Sequence, residues 1–146
     1  IFHDVSLRGP YCSNQFIIKL IPTIIRGTIT GKIIKDRNGD PLREPGLFKA
    51  VKGIGWFIEE YGVAQISYNL TDINISPLHE VFDKTCERSI ARGMRVTGSE
   101  LIGLVPKKVL IDAGKHFLKK QERSTGIAES EIIKIAIKTL GLEGYD

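Results

Sequence analysis

Residues 51–72 read VKGIGWFIEEYGVAQISYNLTD, and how they pair decides the fold. Two runs rich in β-branched and aromatic residues flank Gly62, which predicts a β-hairpin. In the first run Ile54, Trp56 and Ile58 share one side and Gly53, Gly55 and Phe57 the other. In the second, Ala64, Ile66, Tyr68 and Leu70 alternate with Gln65, Ser67 and Asn69. A two-residue loop would set Trp56 opposite polar side chains. A three-residue loop, Glu60-Tyr61-Gly62, matches Trp56 with Ile66, Ile54 with Tyr68, Gly55 with Ser67 and Gly53 with Asn69. It also puts Gly62 where such loops want a left-handed residue. On that register one face of the sheet is apolar, and the other is flat and polar, with two glycines beside Gln65, Ser67 and Asn69. Glycine inside a strand costs stability and marks places where a ligand or another backbone comes close. Two readings of the flat face therefore stand: a solvated outer surface, or the floor of a ligand site or docking surface.

The rest of the chain has the composition of one mixed globular domain. Its 146 residues are 42% hydrophobic and 26% charged, which argues against disorder and fibrous structure and fits a cytoplasmic protein. The net charge of +4 favours anionic partners only weakly, because 21 basic and 17 acidic residues are scattered along the chain. With no basic arm and no paired aromatics on the polar face, nucleic acid is not the expected partner. Cys12 and Cys86 lie far apart with no metal-ligand spacing around them, so neither a disulfide nor a metal is expected. Asp36, Asn38 and Asp40 suggest a calcium loop, but Leu47 stands where the closing glutamate belongs. The apolar run FIIKLIPTII at 16–25 is shorter than the roughly 20 residues a membrane helix needs. It reads as a strand or a buried helical turn, periodicity deciding neither. The chain opens on Ile1 with no signal-peptide pattern and reads as a fragment of something longer.

Around the central hairpin the pattern is α+β. Asn38-Gly39 predicts the turn of a small surface hairpin within 27–46. Ser76 is expected to cap a helix entered at Pro77, with Leu78, Val81, Phe82, Cys86 and Ile90 as its apolar stripe and Gly93 as its stop. RVT at 95–97 predicts a strand. A second helix opens at Pro106 and turns Val109, Leu110, Ala113 and Phe117 inward, with Lys119 and Lys120 at its negative end. A third carries Ile132, Ile133, Ala136, Ile137 and Leu140 and stops at Gly141.

The stretches KAVKGIGWFIEEYGVAQISYNLTD, SPLHEVFD, RGMRVTGSELIGLVPKKVLIDAGKHFL and KQERSTGIAESEIIKIAIKTLGL together resemble the glutamate formimidoyltransferase family. The match is to the C-terminal subdomain of its formiminotransferase domain, over residues 27–146, leaving 1–26 unassigned. The resemblance implies an antiparallel, ferredoxin-like sheet with helices on one face and the other face toward a partner subdomain. It implies an enzyme of histidine degradation that moves the formimino group from N-formimino-L-glutamate to tetrahydrofolate, with the folate in a basic cleft between two subdomains. The partner subdomain, in cis or in trans, a cyclodeaminase and self-association into a homo-oligomer follow as expected partners; a membrane does not.

The family's general acid/base is a histidine in a stretch resembling HPRMGALD in the other subdomain, and no such stretch occurs among these residues. A positioned base is worth roughly 10² to 10⁴ in rate, so this chain is expected to be inactive alone and no catalytic residue is assigned. His79 matches the family's LH at a helix start, a position that is not catalytic there. The candidate cleft residues are Gln65, Ser67 and Asn69 on the polar face, Arg95, and Gly98, Ser99 and Glu100 of TGSELIGLVP, the latter read either as cleft lining or as a tight strand-to-helix connection capped by Ser99. Arg95, Lys107 and Lys108 would supply positive potential toward a folate's glutamate tail. The family pattern opens with a strand like FNINL and a basic-ended helix. Residues 1–26 match neither clearly, and a missing first strand would expose a sheet edge. A different class of function also fits, a non-catalytic module that binds an anionic ligand or docks a separate catalytic chain.

Overall fold

The computed structural model describes residues 1–8, 23–24, 32–44 and 46–142. In chain order its elements are strand β1 (Phe2–Arg8), the short strands β2 (Thr23–Ile24) and β3 (Arg43–Glu44), and the long strands β4 (Val51–Ile58) and β5 (Val63–Leu70). Helix α1 (Leu78–Ile90), strand β6 (Arg95–Ile102) and helices α2 (Lys107–Lys120) and α3 (Glu129–Leu140) follow. Four strands form one antiparallel sheet in the order β4-β5-β1-β6, and β2 pairs with β3 apart from it. That is the strand order of a ferredoxin-like sheet. The helices cover one face, where Val5, Leu7, Ile66, Tyr68 and Leu70 meet Leu78, Val81, Phe82, Val109, Ala113, Phe117, Ala136 and Leu140 in one core. The run FIIKLIPTII, Thr23 and Ile24 excepted, and Cys12 lie outside the described residues.

β1 corrects the reading of the first residues. FHDVSLR is a strand, and it lies between β5 and β6, so the sheet has no gap where the opening strand belongs. Its signal is a period of two: His3, Val5 and Leu7 are fully buried and alternate with Asp4, Ser6 and Arg8. A histidine among the core positions hides that alternation from a hydropathy reading.

The hairpin register is also corrected. Gly55 pairs with Ile66, Gly53 with Tyr68, Trp56 with Gln65 and Ile54 with Ser67, one residue away from the register that a three-residue loop predicts. The loop takes four residues, Glu59 to Gly62, closed by the Tyr61 N–H on the Ile58 carbonyl and the Gly62 N–H on the Glu59 carbonyl. Gly62 does adopt the left-handed conformation, with φ of 60°. A one-residue slip exchanges every side chain between faces. The glycines therefore face the helices, directly opposite the buried Tyr68 and Ile66, and their missing side chains leave room for those two. Ile54 and Trp56 turn to the open face, 66% and 37% exposed.

Local chemistry accounts for the remaining differences. Ser76 does not cap α1: its buried hydroxyl donates to the Lys49 carbonyl, and Pro77 stands at the cap position. The inward stripe of α1 continues through Thr85 and Ser89, with the half-buried Cys86 packed against the core as expected, while Ile90 turns outward and is 71% exposed. Both hydroxyls are satisfied within the helix, Thr85 on the Val81 carbonyl and Ser89 on the Thr85 carbonyl, while Thr85 also meets the Tyr68 hydroxyl at 2.9 Å. β6 runs on from RVT through Ile102, and Gly103, with φ of 83°, ends it. The small hairpin turns at Asn38-Gly39 as expected, its loop held by two backbone N–H groups on one Asp36 carboxylate oxygen. α2 and α3 form where the periodicity places them, and Gly141 ends α3 in the left-handed conformation.

Two stability predictions follow. A β-carbon on Gly114 would overlap the Ile132 backbone carbonyl where α2 crosses α3. Gly114→Ala is expected to lower stability by about 1–3 kcal/mol despite alanine's better helix propensity, read from urea midpoints. Burial between Tyr68 and Phe82 holds the His3 imidazole down at about 4 from 6.5. The unfolded chain therefore binds this proton first, and stability present above pH 6.5 is lost as pH falls toward 4, by about 3 kcal/mol in full. His3→Leu should flatten that part of the pH profile; an unchanged slope would show that His3 does not carry it.

Candidate functional site

The sheet face away from the helices is built by the other half of each strand's alternation. Asp4 stands between Ser67 of β5 and Glu100 of β6; Ser6 stands between Gln65 and Gly98; Arg8 lies opposite Arg95. A register shift between Ser6 and Leu7 gives β6 one extra residue, Thr97, and bends that edge. The result is an open hollow of about 290 Å³. Asp4, Ser6 and Arg8 run along its floor from one end to the other, with Gln65 and Val63 on one side, Gly98 and Glu100 on the other, and Ile58 and Tyr61 at the hairpin end.

The charged groups of the hollow are sparsely paired, although the Thr97 and Ser99 hydroxyls donate to the Ser6 and Leu140 carbonyls. Asp4 Oδ1 is buried and has no hydrogen-bond partner among the described residues, an arrangement that leaves a carboxylate oxygen in want of a donor. Asp4 faces a second carboxylate across the ladder, Glu100, and Arg8 faces a second guanidinium, Arg95. Like charges directly opposite disfavour the sheet, and none of the four has a salt-bridge partner among the described residues.

The residues singled out from the sequence fall into three groups. Gln65, Gly98 and Glu100 meet in the hollow, with Arg95 at its Arg8 end. Ser67 and Asn69 share that face, beside Asp4 and Phe2. Ser99 borders the hollow, but its hydroxyl is turned to the helix side, where it donates to the Leu140 carbonyl, and its N–H bonds the Gly141 carbonyl. Gly98, Ser99 and Glu100 all belong to β6, in place of a strand-to-helix connection. Lys107 and Lys108 lie on α2, paired with Glu129 and Asp112. Sequence reasoning missed Asp4, Ser6 and Arg8, which the alternation of HDVSLR marks.

The histidines of the helices form a separate cluster. His79 stacks on His116 with ring centroids 4.5 Å apart, and His116 Nε2 lies 2.7 Å from Asp83, whose other oxygen takes Lys120 at 3.2 Å. Burial first, and then the neighbouring His116, lowers the pKa of His79. Cys86 is a free thiol pushed up to about 11, chiefly by burial. Among the described residues no cluster of His, Cys, Asp and Glu is placed to hold a metal, and no helix is long and apolar enough to cross a membrane.

Residues 20–146 match the family described as formiminotransferase domain. The formimidoyltransferase-cyclodeaminase of Gallus gallus is 43% identical over 100 residues, which cover 68% of this chain and 18% of that protein. Its namesake from Sus scrofa is 37% identical with the same coverage, 68% and 18%. The glutamate formimidoyltransferase of Streptococcus pyogenes serotype M1 is 34% identical over 77 residues, 53% of this chain and 26% of that protein. The match thus spans a minor part of each relative. β1 precedes the matched residues and still forms the middle of the sheet. With most of its length matched, the chain belongs to the formiminotransferase domain family.

Proposed function

We propose that this chain is the C-terminal, folate-facing subdomain of a glutamate formimidoyltransferase. The complete enzyme would transfer the formimino group from N-formimino-L-glutamate to tetrahydrofolate, in histidine degradation in the cytoplasm. The observation that carries the reading is the hollow on the helix-free sheet face, with the unpartnered Asp4 oxygen at its centre and Arg8 at its end. The residues there suit a folate. Its head presents N–H donors to Asp4, Gln65 offers both donor and acceptor, and its glutamyl carboxylates suit arginine.

Transfer between two nitrogens passes through a tetrahedral adduct and needs proton movement at both. In this reading a catalytic histidine comes from the other subdomain, in cis or in trans, and this chain alone turns over no N-formimino-L-glutamate. Calorimetric titration with 5-formyltetrahydrofolate, a stable mimic of the product, at low salt is expected to give saturable binding in the micromolar range. Absence of binding would overturn the claim that this half carries part of the folate site.

A second reading rests on Ile54 and Trp56, which stand exposed on the same face. They suit a docking surface for a separate catalytic chain, with the anionic-ligand role secondary. Under it Trp56→Ser would weaken capture of the histidine-bearing subdomain while leaving folate binding unchanged.

A further inference from the structure

The two edges of the sheet differ. At the β6 edge the Ser99 N–H donates to the Gly141 carbonyl and Ser99 pairs with Leu142, so the residues that follow α3 cover that strand at its middle. At the other edge β4 pairs with β5 alone among the described residues. The Thr71 N–H on the Ala50 carbonyl sets the phase of that ladder. Lys52, Ile54, Trp56 and Ile58 therefore bond β5, while Val51, Gly53, Gly55 and Phe57 aim their N–H and C=O groups outward. Sheet edges are ordinarily blunted by proline, charge or a bulge. From Gly53 to Ile58 β4 has none of these, its register runs unbroken, and Ile54 and Trp56 stand exposed on it.

The ends of this strand carry opposite charge. Lys49 and Lys52 lie at its start and Glu59 and Glu60 just past its end, and none of the four has a salt-bridge partner among the described residues. A strand charged in this way is complementary to an antiparallel copy of itself. We propose that β4 pairs with β4 of a second copy of this chain about a two-fold axis at Gly55, joining the two sheets into one. In that register the outward N–H and C=O groups of Gly55 bond their own counterparts, and those of Gly53 bond the partner's Phe57. Ile54 then lies opposite the partner's Trp56, and Trp56 opposite the partner's Ile54, in the pairs without ladder hydrogen bonds, where side chains come closest. On the helix side the partner's Phe57 covers the backbone that Gly53 leaves bare. The basic start of each strand meets the acidic end of the other. Sliding the copies either way parts Ile54 from the partner's Trp56. The interface is independent of the folate reading, and it covers Ile54 and Trp56 without a separate catalytic chain.

The test is analytical ultracentrifugation of the chain as it is, across protein concentration and without ligand. The wild type is expected to form a dimer, and Ile54→Lys should weaken it roughly tenfold or more, since symmetry removes two cross-strand pairs at once. Lys49→Glu with Lys52→Glu in one chain, and Glu59→Lys with Glu60→Lys in another, should each abolish pairing alone and restore it when the two chains are mixed, a rescue that a misfolded variant cannot give. An oxidised mixture of Ile54→Cys and Trp56→Cys chains should link position 54 of one copy to position 56 of the other, read by peptide mapping, with no link between like positions. A wild type that stays monomeric at every concentration would overturn the proposal, as would charge variants that pair as the wild type does, or links joining like positions. A monomer that captures the histidine-bearing subdomain through Trp56 would overturn it in favour of docking between different chains.

Discussion

The alternation of side chains along one short strand sets the terms for the rest of the molecule. β1 is bonded on both sides, so its even and odd residues must satisfy two different environments at once. His3, Val5 and Leu7 go under the helices, and Asp4, Ser6 and Arg8 stay on the open face. Moving β1 by one residue would drive a carboxylate and a guanidinium into the core, where an unpaired charge costs far more than the sheet gains.

The same logic governs the hairpin. Its two glycines face the helix side, directly opposite the buried Tyr68 and Ile66, and the Tyr68 hydroxyl meets Thr85. A bulky residue opposite a glycine covers the backbone that the glycine leaves bare, a recurring device in sheets. The consequence for function is indirect. Once the glycines are committed to the core side, Ile54 and Trp56 stand on the open face, which gains an apolar margin beside its polar centre.

The helix side is sealed by hydroxyls. Ser76, Thr85, Ser89 and Ser99 are buried, and each donates to a backbone carbonyl, which lets these four hydroxyls occupy core positions without an unmet donor, whereas the ring nitrogens of the buried His3 have no hydrogen-bond partner among the described residues. Ser99 also ties β6 to the end of α3. On the opposite face the charged rows of β1 and β6 have no salt-bridge partner among the described residues.

Much of this was legible in the residues alone. Three amphipathic periods placed α1, α2 and α3, Pro106 and Gly141 marked ends, Asn38-Gly39 marked a turn, and long motifs carried the family. Those signals are local, because a helical period or a turn dipeptide acts within a few residues. The faces of the hairpin were not legible, because loops of three and of four residues both accept Gly62 in its left-handed conformation and differ only in what they put opposite Tyr68. The candidate site was half legible: Gln65, Gly98 and Glu100 stood out as polar or small positions near strands, while Asp4 and Arg8 acquire meaning only when β1 is placed between β5 and β6. Sequence by itself determined the three helices, the two strands of the central hairpin and the family, while β1 and the full length of β6 came only with the structure. Tertiary structure alone decided which residues share a face, since pairing across the sheet joins positions more than sixty residues apart, as His3 and Tyr68 are, and no local pattern records such a neighbour.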